Sequence, residues 1–264
     1  MALLHVEFGS KVLGMASSMD VILPQRDLSS EKADEENDSL DFRYPVLYLL
    51  HGMSDNHTIW QRRTAIELYA AGYKLAIVMP DAHLSWYTDM AHGLKYCTFF
   101  SEELPAVCHE LFPRISTRRE DTFIGGVSMG GYGAMKIGLG NPDRFSKVVS
   151  LSGALDMRAG LNDGRKGQYW EDVFGPHDSF AGSDNDLLAV AERLAASGKE
   201  KPRIYMWCGL SDFLYQQNLT MKAKLESLHY DLTYEESEGN HGWIWWDPKT
   251  VDVLKWLFAD RGVQ

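Results

Sequence analysis

GGVSMGGYGA, residues 125–134, gathers five glycines around a single serine, and its reading decides the fold. The apolar run TFI leads into it and the helix-like GGYGAMKIGLGNP leads out. Gly126 and Gly130 stand two positions either side of Ser128, matching the pattern G-x-S-x-G. A flexible linker has no use for such spacing. A serine placed on a sharp strand-to-helix turn does, because side chains two positions away would collide with the turning backbone. The glycines thus clear room for the Ser128 hydroxyl to project above a sheet edge. The helix that follows aims its first amides at the same place and favours negative charge developing there. The bland alternative is a glycine-rich helix entry that Ser128 merely caps; the flanking strand and helix favour the nucleophile.

Outward from this turn the chain alternates. ALLHVEF and GMASSMDVILP read as two strands joined by a GSK turn. RDLSSEKADEENDSLDFR, residues 26–43, holds seven acids and three bases and reads as a solvated loop. YPVLYLLHG and KLAIVMPD are continuous apolar runs, as in strands buried on both faces of a parallel sheet. WQRRTAIELYAAGY and FFSEELPAVCHELFP read as helices, the latter despite Pro105. DTFIGGVS, KVVSLSG, RIYMWCG and LTYEESEG continue as strands, with FLYQQNLTMKAKLESLHY and PKTVDVLKWLFAD as helices. This alternation predicts one α/β domain over residues 1–264, a mostly parallel sheet covered on both faces. Residues 154–183, rich in glycine and aromatics without periodicity, break the rhythm and read as a small cap insertion over the carboxyl ends of the strands.

Composition narrows the function classes. A net charge of -11 would be repelled by nucleic acid or an anionic membrane surface, so neither is expected as a partner. Three cysteines, Cys97, Cys108 and Cys208, form neither a disulfide framework nor zinc spacing, which points to a reducing cytoplasm. The start, MALLHVEFGSKVLGM, lacks a secretory pattern, although a mature chain stripped of its signal would look the same. No run reaches membrane-spanning length.

A serine hydroxyl is a weak nucleophile and needs a base, usually a histidine oriented by a carboxylate. With this elbow the expected order along the chain is serine, acid, histidine. Of the histidines after Ser128, His229 ends a helix and His177 comes too early. His241, in EGNHGWIWW, follows the last strand and fits. Asp156 and Asp212 both follow strands; Asp212, in GLSD on the strand before the one leading to His241, is favoured over a helix-capping role. An oxyanion needs two amide donors. Met129, next after the serine, and Met53, in the loop after YPVLYLLHG, are the candidates, with His51 a packed neighbour. Trp86 and Tyr87, in SWYTDMAHGLKY, are read either as pocket walls or as packing beneath a loop. Trp170 and Phe174 of the insert are further pocket candidates. Trp243, Trp245 and Trp246 read as core. Cys97 falls beside the expected site, whereas Cys208 reads as core.

LLHGMSDNHTIW, SWYTDM, FFSEELP, GGVSMGGYGA, GLSDFLYQQN and GNHGWIWWD together resemble the tributyrin esterase and esterase D group of α/β hydrolases. That group includes S-formylglutathione hydrolases and is similar to feruloyl and acetylxylan esterases. The resemblance runs through nearly the whole chain and implies ester hydrolysis with neither metal nor organic cofactor. By it Ser128, Asp212 and His241 form the triad, with Met53 and Met129 as oxyanion donors. The implied partners are small-molecule esters, short-chain acyl esters from acetyl to butyryl, including acetylated or feruloylated carbohydrates. The group and the eight tryptophans raise a homo-oligomer as an expectation. A formylglutathione-type thioesterase and a catalytically silent binding protein on the same fold are the competing readings. The long acidic loop and the insert depart from the group, so acyl preference does not carry over.

Overall fold

The computed structural model describes residues 1–25, 42–158 and 167–261. Eight strands form one sheet in the order β1-β2-β4-β3-β5-β6-β7-β8. They are β1 (Ala2–Ser10), β2 (Met15–Leu23), β3 (Val46–Leu50), β4 (Ala76–Pro80), β5 (Thr122–Val127), β6 (Lys147–Leu151), β7 (Arg203–Gly209) and β8 (Leu232–Ser237). β1 and β2 form an antiparallel hairpin whose second strand also pairs antiparallel with β4. From β3 to β8 every pairing is parallel. The expected α/β architecture is therefore present. The β1–β2 turn falls at 11–14, with Ser10 opposite Met15, rather than at GSK.

The continuous apolar strands follow from two-sided burial. Val46, Tyr48 and Leu50 of β3 face one core, and Leu47 and Leu49 face the other. Helix α1 (Ile59–Arg63) and helix α2 (Ile66–Ala70) follow β3. A helical run from Tyr96, π-wound over Phe99–Glu103, ends in α3 (Leu104–Leu111), with Pro105 standing directly after the π-wound stretch, at the place where the winding changes. Helix α4 (Met129–Gly140) packs in the first core, and α5 (Gln168–Phe174), α6 (Leu187–Ala196) and α7 (Tyr215–Ser227) complete that face. Helix α8 (Trp243–Phe258) buries Trp246, Val253, Leu254, Leu257 and Phe258 on the other face.

Two helix expectations need correction. WQRRTAIELYAAGY is not one helix: Thr64 is extended, its hydroxyl accepts from the Ile66 amide, and Asp247 of α8 takes the Ala65 amide. These side-chain acceptors outbid helix continuity there. The last helix starts at Trp243, five residues before Pro248, because the proline forfeits only one internal bond near the helix start. Of the acidic 26–43 loop, residues 26–41 lie outside the described residues, as do 159–166 of the insert.

The β1–β2 turn is tied to the helical face by one carboxylate. Glu103 accepts from the amides of Lys11 (2.6 Å) and Val12 (3.2 Å) and from the Ser10 hydroxyl. Replacing Glu103 by Ala is expected to lower stability by about 1–3 kcal/mol, read from chemical denaturation, through orphaned turn amides. Ester turnover of the folded fraction should be unaffected, since this hairpin lies at the far edge from β5.

Candidate active site

Ser128 sits between β5 and α4 with φ 56° and ψ −117°, a backbone conformation that costs a side-chain-bearing residue on the order of 1–3 kcal/mol. The strain is held by its surroundings. The Ser128 amide donates to the Leu151 carbonyl (3.0 Å), and the Ser128 carbonyl accepts from Tyr132 (3.1 Å) and Ala154 (3.3 Å). A Cβ placed on Gly126 would come within 2.5 Å of Gly130 backbone atoms. One on Gly130 would lie 2.5 Å from the Leu50 carbonyl oxygen and 2.6 Å from that of His51. The two glycines flanking the serine therefore let β5, α4 and the end of β3 meet, which is the steric demand read from the sequence.

The three distant polar residues converge at the carboxyl end of the sheet. His241 Nε2 lies 3.0 Å from Ser128 Oγ, and His241 Nδ1 lies 2.9 Å from Asp212 Oδ2 and 3.0 Å from Oδ1. The Asp212 carboxylate can only accept, so Nδ1 carries the proton and Nε2 is left to accept from the serine hydroxyl. Asp212 has a fully enclosed side chain, and its Oδ1 also accepts from the Leu214 amide at 2.9 Å. Its loop is laced to the histidine loop: Leu210 N–H donates to the Ser237 carbonyl, and Ser211 N–H to that of Gly239, both at 2.9 Å. A side chain on Gly209 would strike the Gly239 carbonyl, 2.4 Å from its Cβ position. Behind the imidazole stands Trp246, ring centroids 4.9 Å apart and perpendicular, its indole N–H held by the Ser152 hydroxyl at 3.0 Å.

The loop after β3 closes the other side. A Cβ on Gly52 would lie 3.6 Å from the Ser128 Cβ, so the residue before Met53 abuts the serine. His51 is buried, donates from Nδ1 to the Gly52 carbonyl (2.8 Å) and accepts at Nε2 from the Ala82 amide (2.9 Å). It pins the loops after β3 and β4 together and is a packed neighbour, as read. Met129 is fully buried at the start of α4, whereas Met53 is partly exposed. Burial pushes the Asp55 carboxyl above its usual range, against the pull of His51 and the Arg62 and Arg63 guanidiniums.

The aromatic candidates divide. Tyr87 is fully enclosed, its ring against Gly133 and its hydroxyl donating to the His51 carbonyl at 2.8 Å. It presents no surface to a substrate and packs beneath the loop, which corrects its reading as a pocket wall. Trp86, only 3% exposed, joins Trp170 (5.3 Å), Phe174 (5.8 Å) and Tyr132 (5.6 Å) in one aromatic cluster. Its indole donates to the Tyr169 hydroxyl (3.0 Å), which in turn donates to the Leu84 carbonyl (2.9 Å). His83, Trp86 and Tyr87 all have left-handed backbones, so this loop is held in shape by those contacts. Neither the Tyr169 latch nor the Ser152 support has a signal in the sequence. Phe213, beside Asp212 in the quoted motif, was also passed over.

Cys97 is not beside the serine. It opens onto a cleft lined by Asp89, Lys136, Leu139, Asn141 and Asp184, and Lys136 lies seven residues beyond the first residue of α4, about 10 Å from its start. Burial raises the Cys97 thiol, and burial with Asp212 nearby pushes Cys208 up to about 12. Neither is a ready thiolate. Among the described residues no group of three or more His, Cys, Asp or Glu could hold a metal ion, and no helix is long and apolar enough to cross a membrane.

A serine on a strained elbow, a histidine after the last strand and a parallel sheet define an α/β-hydrolase-fold serine hydrolase. The model of the family described as "Putative esterase" matches residues 37–257. An acetyl esterase from Caldicellulosiruptor saccharolyticus is 35% identical, the match covering 97% of this chain and 98% of that protein. The fluorophosphonate-binding serine hydrolase FphF of Staphylococcus aureus is 33% identical with a TM-score of 0.87. The S-formylglutathione hydrolase FrmB from the same organism is 33% identical with a TM-score of 0.85, and each match covers 97% of this chain and 98% of the other. A ferulic acid esterase, 23% identical with a TM-score of 0.78 over 97% of each chain, shares the fold. The chain belongs to this esterase family and is a carboxylic ester hydrolase.

Two outcomes follow from this geometry. Gly130→Ala should destabilise the protein by more than about 2 kcal/mol in thermal or chemical unfolding, because its new methyl meets two fixed carbonyls. Cys97→Ser should change hydrolysis of oxygen esters and of formylglutathione by less than about twofold in steady-state assays, as expected for a thiol away from the reacting atoms.

Proposed function

We propose that Ser128, His241 and Asp212 are the nucleophile, base and orienting acid of an acyl-enzyme mechanism acting on short-chain acyl esters, acetyl to butyryl. The observation that carries the reading is the hydrogen-bonded line from the Ser128 hydroxyl through His241 to the enclosed Asp212 carboxylate. Ser128 Oγ attacks the ester carbonyl as His241 Nε2 takes its proton, and Asp212 stabilises the imidazolium. The oxyanion rests on the amides of Met53 and Met129, placed by the loop that Gly52 brings against Ser128 and by the first turn of α4. His241 returns the proton to the leaving alcohol. Water, deprotonated by the same nitrogen, then attacks the acyl-enzyme and frees the acid and Ser128.

The acetyl esterase relative supports the short acyl preference. Acetylated and feruloylated carbohydrates are included as esters of the same chemistry. Residues 154–183 act as a cap within one domain spanning 1–264, their Trp170 and Phe174 packed on Trp86. A second reading, thioester hydrolysis of formylglutathione, is favoured by the similarity to FrmB. It uses the same residues, and relative kcat/KM on formylglutathione and aryl acetates separates the two.

Folded Ser128→Ala should lose on the order of 10⁶ in kcat, and Asp212→Asn on the order of 10⁴. A fluorophosphonate probe should form an adduct at Ser128, seen by peptide mass spectrometry. Ordinary esterase activity in folded Ser128→Ala, or a probe that leaves Ser128 unmodified, rules out the assignment.

A further inference from the structure

We infer that Phe213 is the contact surface for the alcohol half of the substrate and that it biases the enzyme toward apolar alcohols over hydrated sugar alcohols. This rests on the reading of Ser128 and His241 given above. Phe213 directly follows Asp212, is 67% exposed, and lies with its ring centroid 4.5 Å from the His241 ring at a tilt of 49°. The imidazole is thus flanked by two aromatic rings of opposite character. Trp246 is buried and hydrogen-bonded, so it cannot meet a ligand. Phe213 is open to solvent.

The chemistry says which half of the ester reaches that ring. When the tetrahedral intermediate collapses, the bond from the carbonyl carbon to the alcohol oxygen breaks, and His241 Nε2 delivers its proton to that oxygen. The leaving oxygen must therefore lie within hydrogen-bond reach of Nε2. Its carbon substituents then emerge beside the imidazole, where the open neighbour is Phe213. The acyl carbon, bonded to Ser128 and facing the amides, has no such constraint toward this ring.

The surroundings carry the same character outward. Among the described residues nine large hydrophobic side chains are exposed, and five of them, Met53, Leu84, Leu210, Phe213 and Ile244, belong to loops at the carboxyl ends of the strands or to the first turn of α8. In a chain of net charge -11, such a concentration at the catalytic end of the sheet is unlike a solvated rim. A polyhydroxylated alcohol placed there would give up water without hydrogen-bonding partners from these side chains, whereas an alkyl or aryl alcohol would cover them.

A series of acetates of methyl, butyl, hexyl and phenyl alcohols, with 6-O-acetylglucose, tests this. All share one acetyl-enzyme, so deacylation is blind to the alcohol and differences in kcat/KM report the alcohol half alone. The wild type should favour hexyl over glucosyl acetate by more than about tenfold. Phe213→Ala should lose about tenfold in kcat/KM on hexyl acetate, with the loss shrinking steadily toward methyl acetate, and Phe213→Leu should recover most of it. Equal loss on every alcohol, or a shift in the acid limb of the pH profile, would mean that Phe213 acts through His241 and would overturn the inference. So would no loss on any alcohol, or a wild type that prefers the sugar acetate. Fluorophosphonate labelling at Ser128 in the variants keeps misfolding apart from these outcomes. Failure of the underlying reading would show instead as undiminished methyl acetate hydrolysis in Ser128→Ala.

Discussion

The left-handed backbone of Ser128 is the constraint on which the site depends. An L-residue does not adopt φ 56°, ψ −117° unless its neighbours leave it no alternative. Here the Leu151 carbonyl holds its amide, and the Tyr132 and Ala154 amides hold its carbonyl. Two of those partners, Leu151 and Ala154, come from β6 and the segment after it, while α4 meets β3 and β5 because positions 126 and 130 lack side chains. Energy stored in one residue is thus balanced by the packing of three elements. The result is a hydroxyl presented at the open end of a sheet whose two faces are otherwise sealed.

The partner loops solve a different problem, bringing an acid and a base from adjacent edge-ward strands to that hydroxyl. β7 and β8 run parallel, so their carboxyl ends deliver Asp212 and His241 to the same side. Main-chain bonds between the two loops fix their spacing. The enclosed Asp212 carboxylate then has only two donors to satisfy, the Leu214 amide and the imidazole. Orientation of the ring is therefore a consequence of backbone lacing, with Trp246 limiting its tilt from behind. His51 performs the corresponding service on the opposite side by tying together the loops after β3 and β4.

Much of this was legible in the sequence because it rests on local rules. Short apolar runs closed by turn residues, such as YPVLYLLHG, read as strands buried on both faces, and the glycine spacing around Ser128 has a local steric cause. The chain order of serine, acid and histidine then selected Asp212 and His241 from several candidates. What escaped was decided by distant partners. Nothing around Thr64 announces that Asp247, far along the chain, will take the Ala65 amide and divide a helix. Tyr87 reads equally as pocket wall or as packing, and what separates the two is a distant acceptor, the His51 carbonyl that takes its hydroxyl. Cys97 follows the loop after β4, at the sheet edge that carries the elbow, but faces a different cleft. Phe213 carries no signal within GLSDFLYQQN, because exposure is a property of the folded surface.

The segment following β6 meets the rest of the molecule partly through main-chain groups: the amides of Ala91 and His92 donate to the carbonyls of Val173 and Asp172. Such bonds are indifferent to which residues stand at those positions. Side chains along this stretch can therefore be exchanged while its docking survives.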